Sequence, residues 1–211
     1  ECGVEATGKF CWSCGAALRA GASPAAAPPA PAVAWDPNEP SYAAVVARPG
    51  VRELLAAEAD AADNPMTAEE FLSTCQKVLP QPVPLVPLYE IVGPLYGRLG
   101  IKTGRTEKRS VAVPAGVALA GVLASLARHG NDIRRVEQAT DGCVVHAELS
   151  SSMWHGKGDI VVTVEQDGAG ASVEAATKIP GQVFDWGRSK VRLDALFEDL
   201  LDDRVRAATG V

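Results

Sequence analysis

The chain is 211 residues long, 47% hydrophobic and 22% charged, a composition too apolar for a disordered chain and a length sufficient for one substantial domain with accessories. Its formal net charge of −6 excludes a protein that holds nucleic acid by bulk attraction to phosphate, which depends on Lys and Arg displacing counterions. Aromatic residues make up only 5% while Ala is abundant, so the helices must pack closely on small side chains.

The first fifteen residues carry a metal-site pattern. Cys11-Trp-Ser-Cys14-Gly15 is a complete Cys-x-x-Cys-Gly turn, and Cys2-Gly3 reads as the second half of another. Tetrahedral zinc takes four such ligands. Cys2, Cys11 and Cys14 supply three, and the spacing places the fourth two residues before Glu1, so the expectation is a zinc ribbon over residues 1–18 whose first ligand precedes this chain. The zinc is structural, since catalytic sites usually add His or carboxylate ligands. The other two cysteines, Cys75 and Cys143, stand alone in the sequence, which argues against a disulfide framework and for a reducing, cytoplasmic setting.

Residues 19–40 form an Ala/Pro-rich linker, a semi-rigid spacer partly in polyproline II. A helical segment follows over 41–110. Ser41 can cap a helix from Tyr42, and Pro49 suits the first turn of a second helix through Val51, Leu54 and Leu55. Thr67-Ala-Glu-Glu70 is a capping box opening a third, with Phe71, Leu72 and Cys75 at helical spacing. Pro80–Pro87 is a rigid connector, and Leu88, Ile91, Val92, Leu95 and Leu99 mark a further amphipathic helix kinked at Pro94.

Next comes a basic run. Arg98, Lys102, Arg105, Lys108 and Arg109 stand out in an acidic chain and surround the glycines of a loop, so Lys102, Arg105, Lys108 and Arg109 are candidates for contact with an anion or an acidic partner surface. The order Gly-Ile-Lys-Thr lacks the spacing of a phosphate-binding Walker loop.

Residues 111–205 read as an α+β domain. Val111–Leu126 is nearly uncharged but too short and too rich in Ala and Gly to span a membrane, so a buried helix over Ala115–His129 is expected. Four strands follow, near Ile133–Ala139, Cys143–Leu149, Asp159–Glu165 and Ser172–Ile179, alternating apolar and polar with turn residues between them. They predict a four-stranded antiparallel sheet flanked by helices, His146 lying on its outer face. The last helix, capped by Asp185, puts Trp186, Leu193, Leu196, Phe197 and Leu200 on one stripe and leaves Arg188, Arg192, Asp199 and Asp203 off it.

Pro180-Gly-Gln-Val-Phe-Asp-Trp-Gly-Arg-Ser189, preceded by the Gly-Ile-Lys-Thr-Gly104 loop and the ribbon cysteines, resembles a run in uncharacterised bacterial proteins with an N-terminal zinc ribbon. The likeness spans most of residues 50–201 and implies no activity. Ser150–His155 places hydroxyls near an imidazole but lacks a nucleophile elbow and an orienting acid. The expectation is therefore a non-enzymatic protein-interaction or regulatory module, with a protein partner or self-association in preference to nucleic acid or membrane. The alternative is a small hydrophobic-ligand-binding domain of helix-grip-like architecture, an analogy of fold alone. Trp154, His155 and Trp186 are the expected ligand or partner surface, and any site lies between the sheet and the last helix.

Overall fold

Local signals in the sequence become helix ends in the computed structural model, which describes residues 35–62, 66–82, 105–149, 158–178 and 188–211. Helix α1 (Tyr42–Ala47) is capped by Ser41, whose Oγ accepts from the Ala44 amide, and α2 (Pro49–Asp60) carries its proline in the first turn. Before α3 (Ala68–Lys77) the capping box is reciprocal: Thr67 Oγ1 accepts from the Glu70 amide at 3.2 Å and Glu70 Oε2 accepts from the Thr67 amide at 2.8 Å. The predicted helix over 88–99 lies outside the described residues, as do the zinc-ribbon and linker residues up to position 34.

Six strands form one mixed sheet: β1 (Gln81–Pro82), β2 (Thr106–Val111), β3 (Asp132–Gln138), β4 (Gly142–Leu149), β5 (Gly158–Asp167) and β6 (Gly170–Lys178). Their order is β1-β3-β4-β5-β6-β2, antiparallel except for the parallel pair β1 and β3. The four expected strands are β3 to β6. Gly168, with φ of 60°, begins the β5–β6 turn, and among the described residues no non-glycine has positive φ. A positive φ at the first central position alone is the type II′ pattern that suits a right-twisted hairpin.

Two strands correct the four-stranded expectation. Thr106–Val111, read as part of a basic loop, is an edge strand paired along its whole length with β6. Its alternation is Thr, Lys, Ser on one face against Glu, Arg, Val on the other, so polar residues on both faces hide the period of 2 from a hydrophobicity pattern. Strand β1 is two residues long and ends in Pro82, which has no N–H to donate and is tolerated at an edge.

Helix α4 (Ala115–Arg128) fills the space above the sheet's inner face. Every residue from Ala115 to Ala127 is buried, as expected of a helix that is apolar all round. It packs against strands β3 to β6 and against α1 and α2, sharing one core with Val136, Val145, Val162 and Val173 of the sheet and with Val45, Val51 and Leu55 of the two helices. Burial of each such aliphatic side chain contributes about 1.5–3 kcal/mol. Two glycines admit neighbours at close range. A Cβ at Gly116 would lie 2.8 Å from the Glu39 carbonyl oxygen and 2.9 Å from that of Pro37, and one at Gly121 would lie 3.0 Å from Leu200 Cα.

Helix α5 (Arg188–Asp199) buries Leu193, Leu196 and Phe197 of the predicted stripe, and Leu200 is buried just beyond its end, while Trp186 and the predicted cap Asp185 lie outside the described residues. The chain then breaks and restarts as α6 (Asp203–Thr209), capped by Asp202 at its start and by left-handed Gly210 at its end. Gln138 ties the helical segment to the sheet: its side chain accepts from the Tyr42 amide at 2.9 Å and donates to the Pro40 carbonyl at 3.0 Å. The described residues all belong to one compact unit, Val33–Val211, and helices α1 to α3 share their hydrophobic core with the sheet.

Candidate functional site

The C-terminal end of α4 gathers a cluster of charges around the buried carboxylate of Glu58. The helix closes in a Schellman motif: the Gly130 amide donates to the Ala127 carbonyl and the Asn131 amide to that of Leu126, each at 2.9 Å, with Gly130 at φ of 62°. This turn projects Arg128 and His129 toward the loop between α5 and α6. Arg128 binds Glu58 through Nε and Nη2, at 2.7 and 3.1 Å, reaches Asp202 at 3.1 Å, and also bonds Asp199. Arg204 adds a 2.8 Å contact to Glu58 and another to Asp202.

Glu58 is only 2% exposed, so a charge there depends on these two guanidinium groups. Burial acts to raise the Asp199 pKa, but hydrogen bonds from His129 and Ser125 and the charge of Arg128 outweigh it and hold the carboxyl below its ordinary range. Hydrogen bonds from the Arg204 side chain and backbone hold Asp202 lower still. Arg128, hydrogen-bonded to Glu58, is pushed up and stays charged.

Ser125, Asp199 and His129 sit together in an order that does not activate a nucleophile. Ser125 Oγ donates to Asp199 Oδ2 at 2.7 Å, and His129 Nε2 lies 3.2 Å from the same oxygen. The acid stands between hydroxyl and imidazole, whereas nucleophilic catalysis needs the imidazole on the hydroxyl and the acid behind it. The three groups form a structural knot, with Ser125 buried and His129 exposed.

Beside this knot is a cavity of about 210 Å³. It is lined by the polar residues Ser125, His129, Asn131 and Arg192, by Leu149 of β4 and Ile160 of β5, and by Val191, Ala195 and Leu196 of α5. Leu149, Ile160 and Leu196 are buried, but Val191 is 67% exposed at the mouth. None of these nine residues stands out in the sequence as a site residue. Arg192 carried the one usable signal, a base set beside the apolar stripe of the last helix.

Of the predicted site residues, Cys2, Cys11, Cys14, Lys102, Trp154, His155 and Trp186 lie outside the described residues. Arg105, Lys108 and Arg109 come together on or beside β2. Arg105 is exposed, and its carbonyl accepts from the Thr177 amide at 3.0 Å. Lys108 lies 4.0 Å from Glu165 on the outer face. Arg109 turns inward, where it pairs with Glu107 and with Asp194 at 3.1 Å and stacks 4.4 Å above the Phe197 ring. It clamps α5 to the sheet edge.

On the outer face His146 Nε2 lies 3.3 Å from Glu137 Oε1, which Arg135 also approaches at 3.0 Å. Burial lowers the His146 pKa, partly offset by the Glu137 charge. Cys75 and Cys143 are free and buried; burial pushes the Cys75 thiol up to about 12 and the Cys143 thiol higher still. Among the described residues no group of three or more His, Cys, Asp or Glu side chains is arranged to hold a metal, and no helix is long and apolar enough to cross a membrane. No protein-family model, curated protein or solved structure matches the chain.

Proposed function

We propose that the chain is a non-enzymatic recognition or regulatory module: a structural zinc ribbon held by Cys2, Cys11 and Cys14 is tethered to an α+β body that makes its own contact with a protein partner or a second copy. The observation that carries this reading is the Ser125–Asp199–His129 arrangement, in which a hydroxyl and an imidazole that line a cavity both close on one carboxylate instead of on a reacting centre. The unpaired outer edge of β2 among the described residues supports a partner contact. Because the Thr177 amide donates to the Arg105 carbonyl, alternation directs the backbone groups of Thr106, Lys108 and Ser110 away from β6, where an added strand can bond them. Buried free thiols at Cys75 and Cys143 fit a reducing, cytoplasmic setting.

Native mass spectrometry of protein purified from its host tests the proposal. The expected species carries one zinc per chain and is either dimeric or bound to a partner, and chelation removes the metal. A metal-free monomer with nothing co-purifying would sink it.

The second reading, binding of a small ligand, is favoured by the cavity between α5 and the sheet. Its volume lies below the roughly 300–1,000 Å³ of common ligand pockets, and α4 occupies the space over the sheet where a helix-grip binder would hold its ligand. A ligand here is correspondingly small.

A further inference from the structure

Between β1 and β2 the chain passes from one edge of the sheet to the other through residues 83–104, which lie outside the described residues. Strand β1 ends at Pro82 beside β3, and β2 begins at Thr106 beside β6, with β3 to β6 between them. The two edges of this six-stranded sheet are five steps apart, about 24 Å at about 4.8 Å per step. The inner face offers no route, because α4 fills it with every residue from Ala115 to Ala127 buried.

The outer face carries the mark of a cover. A sheet face open to water ordinarily presents polar, exposed side chains. Here Val144 is 2%, Ala176 3% and Thr163 4% exposed. Register sets them close together: Val144 faces Thr163 across β4 and β5, and Ala176 faces Val161 across β5 and β6. Among the described residues the apolar cluster on this face, Ala139, Val144 and Val161, includes no helix residue. Thr163 Oγ1 and Ser172 Oγ are buried on the same face with no hydrogen-bond partner among the described residues, as under an apolar surface that offers none. The stretches 150–157 and 179–187 adjoin Leu149, Gly158 and Lys178, at the other end of these strands, and Leu149 lies about 17 Å along β4 from Val144.

We propose that residues 83–104 cross the outer face and dock on it, the apolar stripe of residues 88–99 seated on Val144, Val161 and Ala176. The length agrees. A helix over 88–99 spans about 18 Å, and the residues on either side of it supply the remainder at about 3.3 Å each. With the face taken by the chain's own segment, the partner contact proposed above falls to the open edge of β2.

Limited trypsin digestion of the full chain provides the test, since Arg98 and Lys102 lie within the segment. The parent is expected to be cut there at least about tenfold more slowly than a free peptide of residues 83–104. Leu95→Asp and Val161→Asp should each speed cutting at Arg98 by about tenfold or more. The two together should speed it no further than either alone, because a segment already released has no contact left to lose. Retained hydrogen-exchange protection of the α4 amides shows that the core is intact in each variant. Where Val161→Asp loses that protection, Val161→Ala replaces it, with cutting about threefold faster than in the parent. Cutting of the parent as fast as the peptide, cutting that the Val161 variants leave unchanged, or effects that multiply in the double variant would overturn the proposal.

Discussion

Glu58 is the residue whose environment carries most electrostatic risk. Its carboxylate is 2% exposed and leans on Arg128 and Arg204. Removing one partner of a buried pair typically costs about 3–5 kcal/mol, because the stranded charge has lost its solvation and gained nothing. Arg128→Met should therefore lower the unfolding free energy by about 3 kcal/mol in urea denaturation, Arg204 retaining part of the pairing. His146, Asp199 and Asp202 set a pH dependence in two stages. His146 has a lowered folded pKa, so its neutral form contributes stability that is complete above the ordinary His value near 6.5 and declines as pH falls below it. Asp199 and Asp202, also lowered, contribute stability that is complete above the ordinary Asp value near 3.9 and is lost as pH falls toward their folded values. Stability measured against pH should thus fall gently below about 6.5 and steeply below about 4. His146→Leu should remove the first stage alone, and Arg128→Met should flatten the second.

At the scale of elements, α4 inverts the usual rule for glycine. Replacing a mid-helix glycine by alanine ordinarily gains up to about 1 kcal/mol from backbone entropy. At Gly116 the added Cβ meets two backbone oxygens at under 3 Å, and backbone does not yield as a side-chain tip does. Gly116→Ala is expected to destabilise by about 1–3 kcal/mol, measured by thermal unfolding, and a stabilised variant would show that residues 37–39 are held loosely. Strand β2 protects its open edge with charge. In an antiparallel pairing of two copies centred on Lys108, the two lysines would face each other, and like charges directly opposite are unfavourable. Lys108→Val removes that barrier. The variant should self-associate at lower concentration than the parent by light scattering; unchanged association would mean that the edge is guarded by something other than Lys108. The helix starts at Ser41 and Thr67 and the strands β3 to β6 were legible beforehand because each rests on a local pattern, a cap or an alternation. Strand β2 was not legible, since its partners on β6 lie about sixty to seventy residues later in the chain and its own alternation sets charge against charge.

At the scale of the whole molecule, one core joins the helical segment and the sheet, and the thiols report on it. Cys75 and Cys143 are buried with raised pKa values, so little reactive thiolate forms near neutral pH. Under native conditions with chelator, iodoacetamide should label Cys2, Cys11 and Cys14 and spare Cys75 and Cys143; denaturation should expose all five cysteines of the chain. Labelling of Cys143 in the native state would mean that the sheet and α4 part readily. The sequence by itself determined the α+β class, the buried central helix and the apolar stripe of α5, because hydrophobic periodicity is a local property that burial obeys. It also pointed to the border of sheet and last helix as the place to look. Only the tertiary structure decided what stands there: Arg128, Asp199 and Asp202, with Glu58 some seventy residues before Arg128, meet through charge pairing, and Ser125 joins them by a hydrogen bond to Asp199. Pairing of charges leaves no periodic trace in a chain, and it becomes visible only when the helices that carry them have packed.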